Sequence, residues 1–171
     1  MECTILTSKA EWSCRVSIRA ENASAVPYSP LLRNKGDVEI WIRRAQAEVL
    51  CPHLPRDHFR NRSREEIKEL TDRSKHAEVR EISTDKVVID IEDPDGADLA
   101  FVDLPGTIAF ACADGACMTD SRGCCLGLVH HMPGASHVVD LIKDMVKEYI
   151  ASESTIILVT VPAGGAYYLR S

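Results

Sequence analysis

The tetrapeptide Asp103-Leu104-Pro105-Gly106 stands directly after the apolar run Leu99-Ala100-Phe101-Val102. A strand-end carboxylate followed at once by a Pro-Gly turn could serve a nucleotide site, where an acid meets a cation and a glycine amide approaches a phosphate that any Cβ would block. The same residues could equally be an ordinary Asp opening a turn. No G-x-x-x-x-G-K-[ST] loop occurs in the 171 residues, and that loop normally supplies most of the phosphate affinity.

Three other groups of residues could do chemistry. Cys112, Cys117, Cys124, Cys125, His130, His131 and His137 hold enough ligands for a tetrahedral zinc site. Their C-x₄-C and adjacent C-C spacings are not a paired CxxC arrangement, so reduced thiols are the plainer reading. Nothing sets one His beside one Cys for nucleophilic catalysis. Arg56, Arg60, Arg62 and Arg64 form a basic cluster that could meet lipid headgroups or phosphate, although a solvated helix face is the simpler use. Asp93, Asp95 and Asp98 lie in turn sequence and lack the twelve-residue calcium pattern.

With 45% hydrophobic and 27% charged residues, the chain has the composition of one globular domain. A net charge of -6 argues against general nucleic-acid binding, which needs a basic face. Neither a secretory leader nor an apolar stretch of about 20 residues is seen, so the cytoplasm is the expected compartment. The seven cysteines are an odd number in such a chain, and a disulfide framework is not expected.

These candidates need elements to position them. Residues 11–20 alternate, with Trp12, Cys14, Val16, Ile18 and Ala20 on one side, as a half-buried strand does. Cys3 to Thr7 is expected to be its antiparallel neighbour, and Asn22 to Gly36 a loop. Asp37 is placed to cap a helix whose stripe is Val38, Trp41, Ile42, Ala45 and Val49, stopped by Pro52 and Pro55. Ser63 and Glu66 have capping-box spacing for a thinly anchored surface helix running to about Ser74. Val87 to Ile91 and Leu99 to Val102 read as a hairpin about the turn Asp93-Pro94-Asp95-Gly96. Ala109 to Ser136 shows neither periodicity, His137 to Ile150 reads as helix, and Thr155 to Val161 as a strand covered on both faces. The order is that of an α/β fold with a mixed sheet flanked by helices.

Taken in order, three blocks join the D-L-P-G motif: residues 37–46, residues 97–106, and residues 141–150 followed by Thr155 to Ala163. Together they resemble the GTPase domain of dynamin-like proteins, particularly the fungal type, over roughly two thirds of the chain. The resemblance implies a partial Ras-like P-loop GTPase fold and, in the intact family, Mg²⁺-dependent GTP binding and hydrolysis coupled to membrane remodelling. Asp103 would hold the Mg²⁺ shell through a water and Gly106 would sense the γ-phosphate, with Leu104 and Pro105 completing the nucleotide-side turn. The phosphate loop, the switch threonine and the guanine-reading [TN]-K-x-D have no counterpart, so both ends look cut and the isolated chain is expected to be inactive. Residues 107–136 depart from the family as an inserted or mis-spliced Cys/His-rich segment.

In the family's sheet a phosphate-loop strand would lie between the strand ending at Asp103 and Thr155 to Val161. Its loss would open a gap of roughly 10 Å and give a marginal or aggregating product. The expected partners are GTP, a second copy or a full-length dynamin-like protein, with no nucleic acid. Membrane contact would come only through regions absent here, and the intact family could sit at membranes or microtubules. The competing readings are a non-catalytic interaction module and, less favoured, a zinc-binding module.

Overall fold

The computed structural model describes residues 1–8, 11–104, 135–151 and 155–158. The chain divides into two compact units, Met1–Pro105 and Gly106–Ser171.

The first unit is an α/β layer. Its mixed sheet contains β1 (Glu2–Thr7), β2 (Ser13–Arg19), β3 (Val26–Pro27), β4 (Lys86–Asp93) and β5 (Leu99–Val102), in the order β3-β2-β4-β1-β5. β1 runs parallel to β4 and antiparallel to β5, while β2 is antiparallel to β3 and β4. This corrects two expectations. β1 is not the neighbour of β2, because β4 lies between them, and β4 and β5 do not form a hairpin, because β1 is inserted between them.

The insertion follows from the width of the connection at 94–98, which must cross two strand spacings, about 10 Å, and is long enough to do so. Two hydrogen bonds tie that crossing to the end of β1: the Thr7 amide donates to Asp98 Oδ1 at 2.7 Å, and the Thr7 hydroxyl to the Gly96 carbonyl at 3.1 Å. The turn residues that suggest a hairpin are present, with the Gly96 amide bonded to the Asp93 carbonyl. They turn the chain without closing a two-strand ladder.

Residues 22–36 are not simply a loop. The amides of Tyr28 and Ser29 both donate to the Val16 carbonyl at 2.9 Å, two residues facing one, and the Val16 amide donates to Ser29 Oγ at 2.9 Å. A further bridge joins Leu32 to Cys14. The segment thereby seals the edge of β2 with Tyr28 and Leu32 buried. Ser13 and Ser17 are buried as well, so β2 is covered on both faces at these positions and not half-buried throughout.

Helix α1 (Val38–Leu50) presents the expected stripe, with Val38, Trp41, Ile42, Ala45 and Val49 packed in the sheet-side core beside Cys14, Val16, Val87 and Ile89. It has a second apolar face. Ala47, with Ile40 and Leu50, joins Cys51, Phe59, Ile67 and Val79 in a separate cluster, so α1 is sandwiched between the sheet and residues 51–79. Helix α2 (Arg64–Leu70) is anchored in that cluster through Ile67, more firmly than its short apolar face suggests. Its capping box is formed by Ser63 and Glu66, as the spacing predicts. Asp37 makes no side-chain cap, because α1 grows out of a 3-10 turn at Lys35–Asp37 that Asn34 caps through the Gly36 amide at 2.9 Å.

In the second unit, α3 (Ala135–Ile150) is the expected helix, with Ile142 buried. Residues 155–158 form no strand, contrary to expectation, and Ile156 and Leu158 are 87% and 88% exposed. Apolar, β-branched sequence favours a strand only where a neighbouring ladder accepts its backbone, and no described strand does so. Residues 159–161 of that expected strand, and almost all of the expected insertion at 107–136, lie outside the described residues. Among the described residues no helix is long and apolar enough to cross a membrane.

Candidate functional site

Asp103 follows β5 at one corner of the sheet. Its amide donates to the Met1 carbonyl at 2.8 Å and its carbonyl accepts from the Met1 nitrogen at 2.7 Å. This closed pair prolongs the β1–β5 ladder by one step and fixes the Asp103 backbone. The carboxylate is exposed and accepts no hydrogen bond from any described residue. Leu104 is half-buried beside it, while Pro105 and Gly106 lie outside the described residues. One rung into the ladder, Glu2 pairs with Val102 and its carboxylate bridges Arg19 and Lys86, the latter at 3.6 Å. That acid is neutralised by its neighbours. The Asp103 carboxylate meets the charge of the Met1 ammonium instead, with no hydrogen bond from a described residue.

In the basic cluster Arg56 is exposed, while Arg60, Arg62 and Arg64 are each paired with a carboxylate. Arg62 pairs with Glu66 at 2.9 Å, Arg60 with Asp57 at 3.0 Å, and Arg64 with Glu39 at 2.7 Å. Glu39 also receives Arg43 at 2.9 Å, and hydrogen bonds from Arg43, with the charge of Arg64, hold its carboxyl below the usual carboxylate range. Arg60 lies 5.3 Å from the centre of the Tyr28 ring, and Arg44 lies 4.9 Å from that of Trp41. The two rings meet edge to face at 6.1 Å.

Glu48 is the hub of this network, a residue that no sequence pattern singles out. One oxygen accepts the Tyr28 hydroxyl at 3.3 Å and the other the Asp57 amide at 2.7 Å. Asp57 sits at φ 65°, a left-handed conformation that this bond helps to hold. Burial and the neighbouring Glu48 carboxylate push the Tyr28 phenol above its ordinary value. The arrangement is a clasp that fixes residues 51–64 to α1.

The aspartates of the β4–β5 crossing have structural partners too. Asp93 meets Lys35 at 3.3 Å and accepts the Asp95 amide at 3.1 Å, and Asp98 accepts the Thr7 amide. Among the described residues no three His, Cys, Asp or Glu side chains come together as a metal could use them. Cys3, Cys14 and Cys51 are buried free thiols. Burial raises all three, and Cys14, with Cys3 and Asp90 nearby, is pushed up to about 11. Cys112, Cys117, Cys124, Cys125, His130 and His131, the core of the zinc alternative, lie outside the described residues.

Compared with known protein families, curated proteins and solved structures, the chain matches none.

Proposed function

We propose that the chain carries part of a dynamin-like GTPase domain, keeping the corner that faces Mg²⁺ and nucleotide while lacking the means to hydrolyse GTP. The observation that supports this reading is Asp103: its backbone is pinned to β1, and its carboxylate stands exposed at the strand end, near the Met1 ammonium but without a hydrogen bond from a described residue. An acid with a purely structural task in this unit looks different, as Glu2 and Asp98 do.

One carboxylate does not hold Mg²⁺ by itself. The ion keeps waters and depends on substrate phosphates for its remaining ligands, so the donor set here fits a nucleotide-borne ion and not a resident one. Phosphoryl transfer to water rests on positioning and charge stabilisation of the phosphates. The sequence supplies no phosphate loop for that task.

The isolated chain is expected to show no saturable binding of a fluorescent GTP analogue, with or without Mg²⁺. Saturable, Mg²⁺-dependent binding that disappears in Asp103→Ala would overturn the inactive part of the reading. The family part is tested by grafting Leu99 to Gly106 into an intact dynamin-like GTPase in place of its own D-L-P-G strand. Mg²⁺-dependent hydrolysis that survives the graft and is lost with Asp103→Ala is expected. A folded graft without hydrolysis, or one indifferent to Asp103, would sink the proposal.

A further inference from the structure

The two edges of the sheet are built differently. β3 is two residues long and ends in Pro27, which cannot donate to an added strand. β5 contains neither Pro nor charge across Leu99-Ala100-Phe101-Val102, and no described strand pairs with its outer side.

The register also shows an apolar row that runs out of cover. Val16, Ile89, Cys3 and Phe101 align across β2, β4, β1 and β5, and their exposures are 0%, 3%, 4% and 46%. In the next row, Cys14, Ile91, Ile5 and Leu99, exposure rises from 0% at Cys14 to 54% at Leu99. Helix α1 lies over β2 and β4. Beyond them the core face continues onto β5 largely uncovered.

The parity of the β1–β5 ladder determines what the open edge offers. Met1 and Asp103 exchange both backbone bonds, so Phe101 with Cys3 and Leu99 with Ile5 do the same. The amides and carbonyls of Ala100 and Val102 therefore point away from β1.

We propose that this edge pairs with the same edge of a second copy of the chain, antiparallel about Phe101, joining two sheets into one. In that register Ala100 of each copy faces Val102 of the other, and every outward amide and carbonyl of β5 finds a partner. The two Phe101 residues face each other in a non-hydrogen-bonded pair, where side chains approach most closely. The charges fit this register: Asp103 falls opposite Leu99 and Asp98 opposite Leu104, so no two carboxylates oppose one another directly. Asp98 and Asp103 also project from opposite faces, because their positions differ in parity. The contact is isologous and closes at two copies. It goes beyond the nucleotide reading, in which this edge is the one left open by the missing phosphate-loop strand, and it uses backbone and apolar groups only.

Sedimentation velocity of the full chain, from micromolar to submillimolar concentration, is the first test, with a dimer expected. Val102→Pro removes only an outward amide, and by symmetry two hydrogen bonds per dimer, so association should weaken about tenfold or more. Cysteine crosslinking then checks the register in a background with Cys112, Cys117, Cys124 and Cys125 changed to Ser. Phe101→Cys should form an intermolecular disulfide on oxidation, since facing Cα atoms at about 4.5 Å are within bridging range. Leu99→Cys, on the same face but off the dyad, should not. A wild-type monomer at every concentration, a folded Val102→Pro variant that dimerises like wild type, or Leu99→Cys bridging as fast as Phe101→Cys would each overturn the proposal. Should Val102→Pro fail to fold, the crosslinking pair decides on an unaltered backbone.

Discussion

The hydroxyl of Ser29 accepts the amide of Val16 at 2.9 Å inside the core, standing in for a carbonyl that an uninterrupted ladder would have supplied. Ser29→Ala leaves that amide without a partner in a site water does not reach. The expected loss is about 1–3 kcal/mol, read as a lower urea midpoint at unchanged slope. Ser29→Thr keeps the acceptor and should recover part of the loss.

The Asp98 carboxyl is held below its ordinary range by hydrogen bonds from Thr7, backbone first and side chain second. A depressed folded-state value contributes stability above the unfolded value of about 3.9 and loses it as pH falls through the folded value. Wild type should therefore lose more stability than Asp98→Asn on acidification below about pH 4. Chemical denaturation at several pH values checks this, and parallel curves for the two proteins would contradict it.

What could be read from the sequence was what local periodicity encodes. The α1 stripe from Val38 to Val49, the Ser63–Glu66 box, β5 and the strand-end position of Asp103 all rest on neighbours within a few residues. The place of β1 does not, because Cys3 and Ile5 suit any apolar neighbour and only the crossing at 94–98 selects Ile89 and Phe101. The Ser29 bond to Val16, the second face of α1 and the Glu48 hub are likewise contacts between distant segments, which no pattern of spacing announces.

Cys14 should resist thiol reagents in the native protein. Its thiol is fully buried and pushed up to about 11, so little thiolate exists near neutrality and the reagent has no access. With Cys112, Cys117, Cys124 and Cys125 changed to Ser, a native sample should show no rapid reaction with a chromogenic disulfide, and unfolding should release three thiols. The raised value gives stability that is complete below the unfolded value of about 8.5 and declines as pH rises toward 11. Denaturation midpoints falling over that interval are the second readout.

Asp103→Ala should leave the melting temperature within the change caused by about 0.5 kcal/mol, because the carboxylate has no described hydrogen bond to lose. Calorimetry of the two proteins checks it. A large drop would show that the acid serves the fold and would remove the main support for a nucleotide-facing role.

Phe59 is fully buried at the centre of the cluster that attaches α2 to α1. Phe59→Ala should cost about 3–5 kcal/mol through lost burial and a residual cavity. Its clearest signature would be faster amide exchange in α2 and residues 51–62 than in β2 and β4.

The insertion of β1 between β4 and β5 also sets an order in time. Thr7 and Asp98 are 91 positions apart, so at a synthesis rate of about 5–20 residues per second β1 waits on the order of ten seconds for the strands that flank it. During that interval Cys3 and Ile5 are apolar strand residues without a sheet. The chain must then thread them into a slot both of whose walls are made later, which places the slow, non-local step of folding at a segment made before its neighbours.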